Sequence, residues 1–137
     1  MKFKFFILLL FFTHCSSIFA QNQKQIDFYK SKFYEYQTIG IDSALFYNEK
    51  VFASKRPADL AFAYAAKWQL LLSSNQKFDK KEFLDGVKSH LNQVTKSSEN
   101  YHELSKIYNI IGTNYFIEGK YSISLEFFLK AEKYSIL

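Results

Sequence analysis

Large apolar side chains recur along this chain at intervals of three and four residues, the period of a helix that hides one face. In the first such stretch, 22–36, Ile26, Phe28, Tyr29, Phe33 and Tyr36 carry the pattern, and Thr38-Ile39-Gly40 turns the chain. The next helix is expected over 43–54, capped by Asp42 or its neighbour, with Ala44 to Tyr47 and Val51-Phe52 as its apolar part and Lys55-Arg56-Pro57 as its stop. A third, 58–73, sets small Ala61, Ala63, Ala65 and Ala66 among Phe62, Tyr64, Trp68 and Leu70 to Leu72. After a turn at 74–78 comes its partner, 80–95, with Phe83, Leu84, Val87, Leu91 and Val94 as the buried face. A loop at 96–100 leads to helices at 100–118 and 121–134, joined by Gly119-Lys120. Strand-like alternation is nowhere sustained, and one proline and four glycines leave little to interrupt long helices. The pattern therefore predicts an all-α chain of antiparallel helical hairpins over about 22–55, 57–96 and 100–137, each buried against its neighbour.

Within 105–137 the spacing of large and small residues is specific. Counting Ser105 as position one, Tyr108, Ile111 and Tyr115 fall at four, seven and eleven, with Gly112 at eight and Ser124, Phe128 and Ala131 further on. A glycine inside a helix costs roughly 1 kcal/mol relative to alanine, so Gly112 implies a close crossing of two backbones. The arrangement resembles a tetratricopeptide (TPR) repeat, a 34-residue helical hairpin with an aromatic, then Leu-Gly, Tyr, Ala and Phe at fixed offsets. Two positions depart from it: Ser124 stands where alanine is usual, and Ile136 where proline is usual. Pairing Gln76-Lys77-Phe78 with Gly119-Lys120-Tyr121 puts two equivalent turns 43 residues apart, so the preceding unit is a longer, drifted copy. The resemblance implies a short right-handed superhelical array with a concave and a convex side.

Residues 1–20 read as a secretory signal peptide: Lys2 and Lys4 precede an apolar run over 5–12, and Ile18-Phe19-Ala20 makes a cleavage signal. The apolar run is shorter than the ~20 residues that span a bilayer. Cys15, the one cysteine, would be the acylated residue of a lipoprotein, but Phe12-Thr13-His14 matches poorly the small residues wanted before it. Cleavage after Ala20 would leave no thiol for a disulfide, a zinc site or a nucleophile. The formal charge of +5 would lose two with Lys2 and Lys4, leaving a scattered +3 with no basic stripe for nucleic acid.

Candidate chemistry is sparse. His90 is expected beside the apolar face of the fourth helix, and His102 in the first turn of the fifth, flanked by Glu99 and Glu103. The H-E-x-x-H spacing, a phosphate loop and a G-x-S-x-G elbow are all missing from the sequence. Glu82, Asp85, Glu126 and Glu132 lie near lysines and read as surface ion pairs. The sixteen phenylalanines and ten tyrosines are expected in the core, with Tyr108, Tyr115, Tyr121 and Phe128 wedged between crossing helices.

No enzyme activity, metal or cofactor is therefore expected, and neither is a nucleic-acid partner or a membrane span. What the resemblance implies is a protein–protein interaction scaffold that accepts a peptide or partner protein in its concave groove. By repeat register that groove would be lined by Lys106, Asn109, Thr113 and Phe116, a set suited to an extended acidic or C-terminal segment. Leader and Lys-, Asn-, Ile- and Phe-rich composition also resemble the exported N-terminal TPR segment of Bacteroidetes-type sensor and regulator proteins, which places the chain in the periplasm or outside the cell. The alternative is a stand-alone exported adaptor: an uncapped last hairpin would be covered either by further repeats or by a homo-oligomer.

Overall fold

The computed structural model describes residues 21–137, and every described element is helical. The signal-peptide reading and Cys15 lie outside the described residues. Helix α1 occupies 21–36, followed by α2 (Ile41–Val51), α3 (Pro57–Ser73), α4 (Lys80–Leu91), α5 (Ser98–Ile117) and α6 (Tyr121–Ile136).

Helix α3 is the centre of the molecule. Its Ala58, Ala61, Phe62, Ala63, Ala65, Ala66, Trp68 and Leu70 are all buried, so the helix is covered on nearly every side. Small alanines let three neighbours approach: α2, α4 and α5 all pack on α3, and α6 packs on α5. Helix α1 joins through Phe33, fully buried, whose ring meets that of Phe62 edge-on at 5.4 Å. Two buried amides clamp α3 from opposite neighbours. Asn48 of α2 donates to the Ala63 carbonyl and Asn114 of α5 to the Ala65 carbonyl, each at 3.0 Å.

Several helix ends differ from expectation for identifiable reasons. Gly40, not Asp42, precedes the first turn of α2, and no side chain caps it; Asp42 sits inside the first turn, where its charge complements the helix dipole. That helix also stops at Val51, and Pro57 begins α3 as its first residue, where a missing N–H costs nothing. Helix α4 ends at Leu91 instead of running to Thr95. The N–H groups of Gln93 and Val94 turn back to the carbonyls of His90 and Leu91 in a tighter spiral, where Asn92, Val94 and Thr95 have weak helix propensity.

The hairpin α5–α6 follows its spacing closely. A Cβ added to Gly112 would come within 2.8 Å of the Phe128 ring, which is the close crossing the glycine implies. Ser124 is buried there and donates its hydroxyl to the Gly112 carbonyl at 2.8 Å, a bond that alanine could not make. One helical layer away, Ser105 donates to the Ala131 carbonyl at 2.8 Å. Tyr108 stacks on Tyr134 at 5.6 Å and Tyr115 on Phe127 at 5.5 Å. Tyr121, expected in this wedge, is 64% exposed instead, because it starts α6 on the outward side.

In α3–α4 the same device is mirrored. Gly86 lies on the second helix, and a Cβ there would meet the Tyr64 ring at 2.5 Å. The two hairpin turns are also built alike, though one residue off the register read from sequence. Both α3 and α5 end in a Schellman motif. In one, Gln76 and Asn75 donate to the Leu71 and Leu72 carbonyls; in the other, Lys120 and Gly119 donate to those of Tyr115 and Phe116. Asn75 (φ 54°) and Gly119 (φ 74°) hold the left-handed position, so Asn75 is the counterpart of Gly119.

Candidate interaction face

Helices α1 and α5 each carry a polar stripe at the same spacing. On α1 it is Asp27, Lys30, Ser31 and Tyr34; on α5 it is Glu99, His102, Glu103 and Lys106. Residues at i, i+3, i+4 and i+7 share one helical face, and the two faces look at one another. Together with Arg56, which precedes the first turn of α3, they enclose an open cavity of about 560 Å³.

The floor of this cavity is a buried charge cluster. The Lys30 ammonium, 4% exposed, lies 2.9 Å from Asp59 of α3 and also donates to Glu103 of α5. Asp59 is fully buried and accepts two more hydrogen bonds, from the Ser54 hydroxyl at 2.7 Å and the Gln23 amide at 3.3 Å. Burial alone would raise the carboxyl pKa of Asp59. The Lys30 charge and hydrogen bond, with the Ser54 hydroxyl, outweigh that and hold it below its ordinary value. Glu103 behaves likewise: burial pushes it up, and Lys30 and then Lys106 bring it below normal. Tyr34 has its phenol pushed upward, first by burial and then by the Glu103 charge. Lys30 thus fastens α1, α3 and α5 together, and with Lys106 beside Glu103 it balances the two carboxylates at the centre of the cavity.

Of the four residues singled out by register, Lys106 alone lines the cavity, 3.5 Å from Glu103. Asn109, Thr113 and Phe116 continue along the exposed side of the same helix toward its C-terminal end. The Thr113 hydroxyl donates to the Asn109 carbonyl at 3.0 Å, so as a ligand group it can only accept. Phe116 is 57% exposed and meets Tyr121 edge-on at 5.4 Å. The four form one strip on α5, and the cavity opens at the Lys106 end of it.

Lys30 and Asp59 were not among the residues picked from sequence. A signal for Lys30 does exist: with Ile26 and Phe33 it takes the i, i+4, i+7 positions of the apolar stripe, where a charge requires a partner. His102 is exposed on the cavity rim, while His90 is half-buried and stacks on Tyr64 at 5.7 Å. Asp85 pairs with Lys81 as the surface reading expects. Among the described residues, Glu82, Glu126 and Glu132 make no ion pair. No three His, Cys, Asp or Glu side chains gather there as a metal site would require, and no described helix is long and apolar enough to cross a membrane.

Comparison of the chain with protein-family models, curated proteins and solved structures finds no match.

Proposed function

We propose that this chain is a non-catalytic interaction scaffold: an exported, TPR-like array of helical hairpins that holds a peptide or a segment of a partner protein along the α1–α5 face. The observation that carries this reading is the continuity of that face. A cavity with a rigid, internally neutralised floor passes into an exposed strip of Asn109, Thr113 and Phe116 on a single helix. Rigid polar groups beside an exposed aromatic anchor are what peptide-binding grooves offer. The rim carries both signs of charge, Arg56, His102 and Lys106 beside Asp27 and Glu99, and an acidic or C-terminal segment would be met there by Arg56 and Lys106. The close crossing of Gly112 against Phe128, with Ser124 and Ala131 both buried, supports the TPR-like reading of the last hairpin. Such a scaffold fits the sensory N-terminal part of an exported signal-transduction regulator.

A second reading, self-association as a stand-alone adaptor, draws on the outer face of α6. Leu125, Leu129 and Ile136 are 58%, 55% and 77% exposed, with Tyr121 beside them. Scattered apolar residues are ordinary on surfaces, but a stripe along one helix favours a covering partner.

The test is selection from a pool of acidic, C-terminally free peptides on the full chain, followed by affinity measurement with Lys106→Ala/Asn109→Ala. We expect binding at least ~10-fold weaker at unchanged helicity, a loss of about 1.4 kcal/mol. Unchanged affinity, or peptides selected equally well by the variant, would refute the assignment of the face.

A further inference from the structure

A second cavity shares no lining residue with the face described above. Helix α4 rests on α3 and α6 rests on α5, and the two outer helices do not pack along one another. Between them lies a groove of about 480 Å³. Its floor is apolar and aromatic: Trp68 from α3, Val87 and Leu91 from α4, Ile111 and Tyr115 from α5, and Phe127 from α6 all line it. The volume is within the range of small-molecule sites.

Charge at the mouth is one-sided. Lys88 of α4, Lys96 of the following loop and Lys130 of α6 line the same groove, and among the described residues none of the three is in an ion pair. The one acid there, Asp85, is engaged by Lys81. The early end of α4 contributes to this, because it brings Val94 and Lys96 round into the lining instead of carrying them along a helix. A groove with aromatic and aliphatic residues on its floor and three ammonium groups outside any ion pair, Lys130 resting over the Phe127 ring at 4.8 Å, is complementary to an apolar chain or ring system ending in an anion.

We infer that the α4–α6 groove binds a hydrophobic carboxylate, of which a medium-chain fatty acid is the simplest member. The chain would lie on the part-exposed Leu91, Tyr115 and Phe127, above the buried Trp68 and Ile111, and the carboxylate would sit among Lys88, Lys96 and Lys130. This site does not depend on the α1–α5 face and would persist if that reading failed.

Trp68 is the single tryptophan of the chain and is buried beneath the groove floor, edge-on to Tyr115 at 5.2 Å, so its fluorescence serves as the probe of occupancy. The experiment is titration of the full chain with dodecanoate and, in parallel, dodecanol, each below its micelle or solubility limit, and with an acidic amphipathic helical peptide. Dodecanoate should give a saturable change with one site per chain. Dodecanol should bind about tenfold more weakly, as should dodecanoate to the Lys88→Gln/Lys96→Gln/Lys130→Gln variant. These three lysines are at the surface, so the variant is expected to fold, and circular dichroism checks it. A flat titration, equal binding of acid and alcohol, an unaffected lysine variant, or saturation by the peptide in place of dodecanoate would each overturn the inference.

Discussion

Lys30 is the residue on which most depends. A cation at an apolar-stripe position is tolerated because two carboxylates and the Phe62 ring, 5.3 Å from the ammonium, surround it. Removing one partner of such a cluster leaves the other charges buried without compensation, so Lys30→Met should cost about 3–5 kcal/mol in chemical denaturation. The pH dependence follows from the carboxylates. Asp59 and Glu103 have pKa values in the folded chain below the ordinary 3.8 and 4.5 they regain on unfolding, so their contribution is complete above those ordinary values. It is lost as pH falls further, through the folded values. Unfolding free energy should therefore decline below about pH 4.5, and Asp59→Asn/Glu103→Gln should flatten that decline; an equal slope in wild type and variant would contradict the assignment. The tyrosines set the alkaline side. Burial raises Tyr34, Tyr108 and Tyr115 above their ordinary 10.0, so the stability they confer is present below pH 10 and lost above it. At the close crossings, Gly112→Ala and Gly86→Ala each push a Cβ into a ring and should cost about 1–3 kcal/mol by overpacking.

Among the elements, the two Schellman turns offer a controlled comparison. Gly119 occupies the left-handed region without penalty, and Gly119→Ala should lose about 1–2 kcal/mol. Asn75 holds the equivalent position with a Cβ present, so Asn75→Gly should be neutral or slightly stabilising. Thermal melts of both variants check the pair, and equal losses would mean the turns are not equivalent. The α5–α6 hairpin was legible in advance because its determinants are local: Gly112, Ser124 and Phe128 lie within one hairpin and speak through spacing alone. The turn pairing read from sequence is one residue off because asparagine at a left-handed position resembles an ordinary polar loop residue. The central role of α3 was also hidden. Its alanines read as small residues on one helix, whereas they are the contact points for helices on several sides, a property of assembly and not of period. The same limit applies to the candidate site, where Lys30, Asp59 and Glu103 come from three helices and 73 residues separate the first from the last.

On the scale of the whole molecule, α3 divides the two candidate surfaces. The α1–α5 cavity is lined by charged residues of both signs and pinned by the Lys30 cluster, while the α4–α6 groove sets aromatic and aliphatic residues beside three lysines. A second charge cluster braces the molecule between them. Lys80 at the start of α4 reaches Glu118 at the end of α5, above the rings of Trp68 and Tyr115 at 5.0 and 4.8 Å. A scaffold needs this rigidity, because groups already fixed lose less conformational entropy when a partner binds. The most direct test is hydrogen exchange of the full chain with and without a peptide selected as above. Added protection is expected over 21–36 and the exposed strip of α5 alone, with α4 unchanged. Protection over α4 and α6 alone, or none on α5, would contradict the assignment of the face.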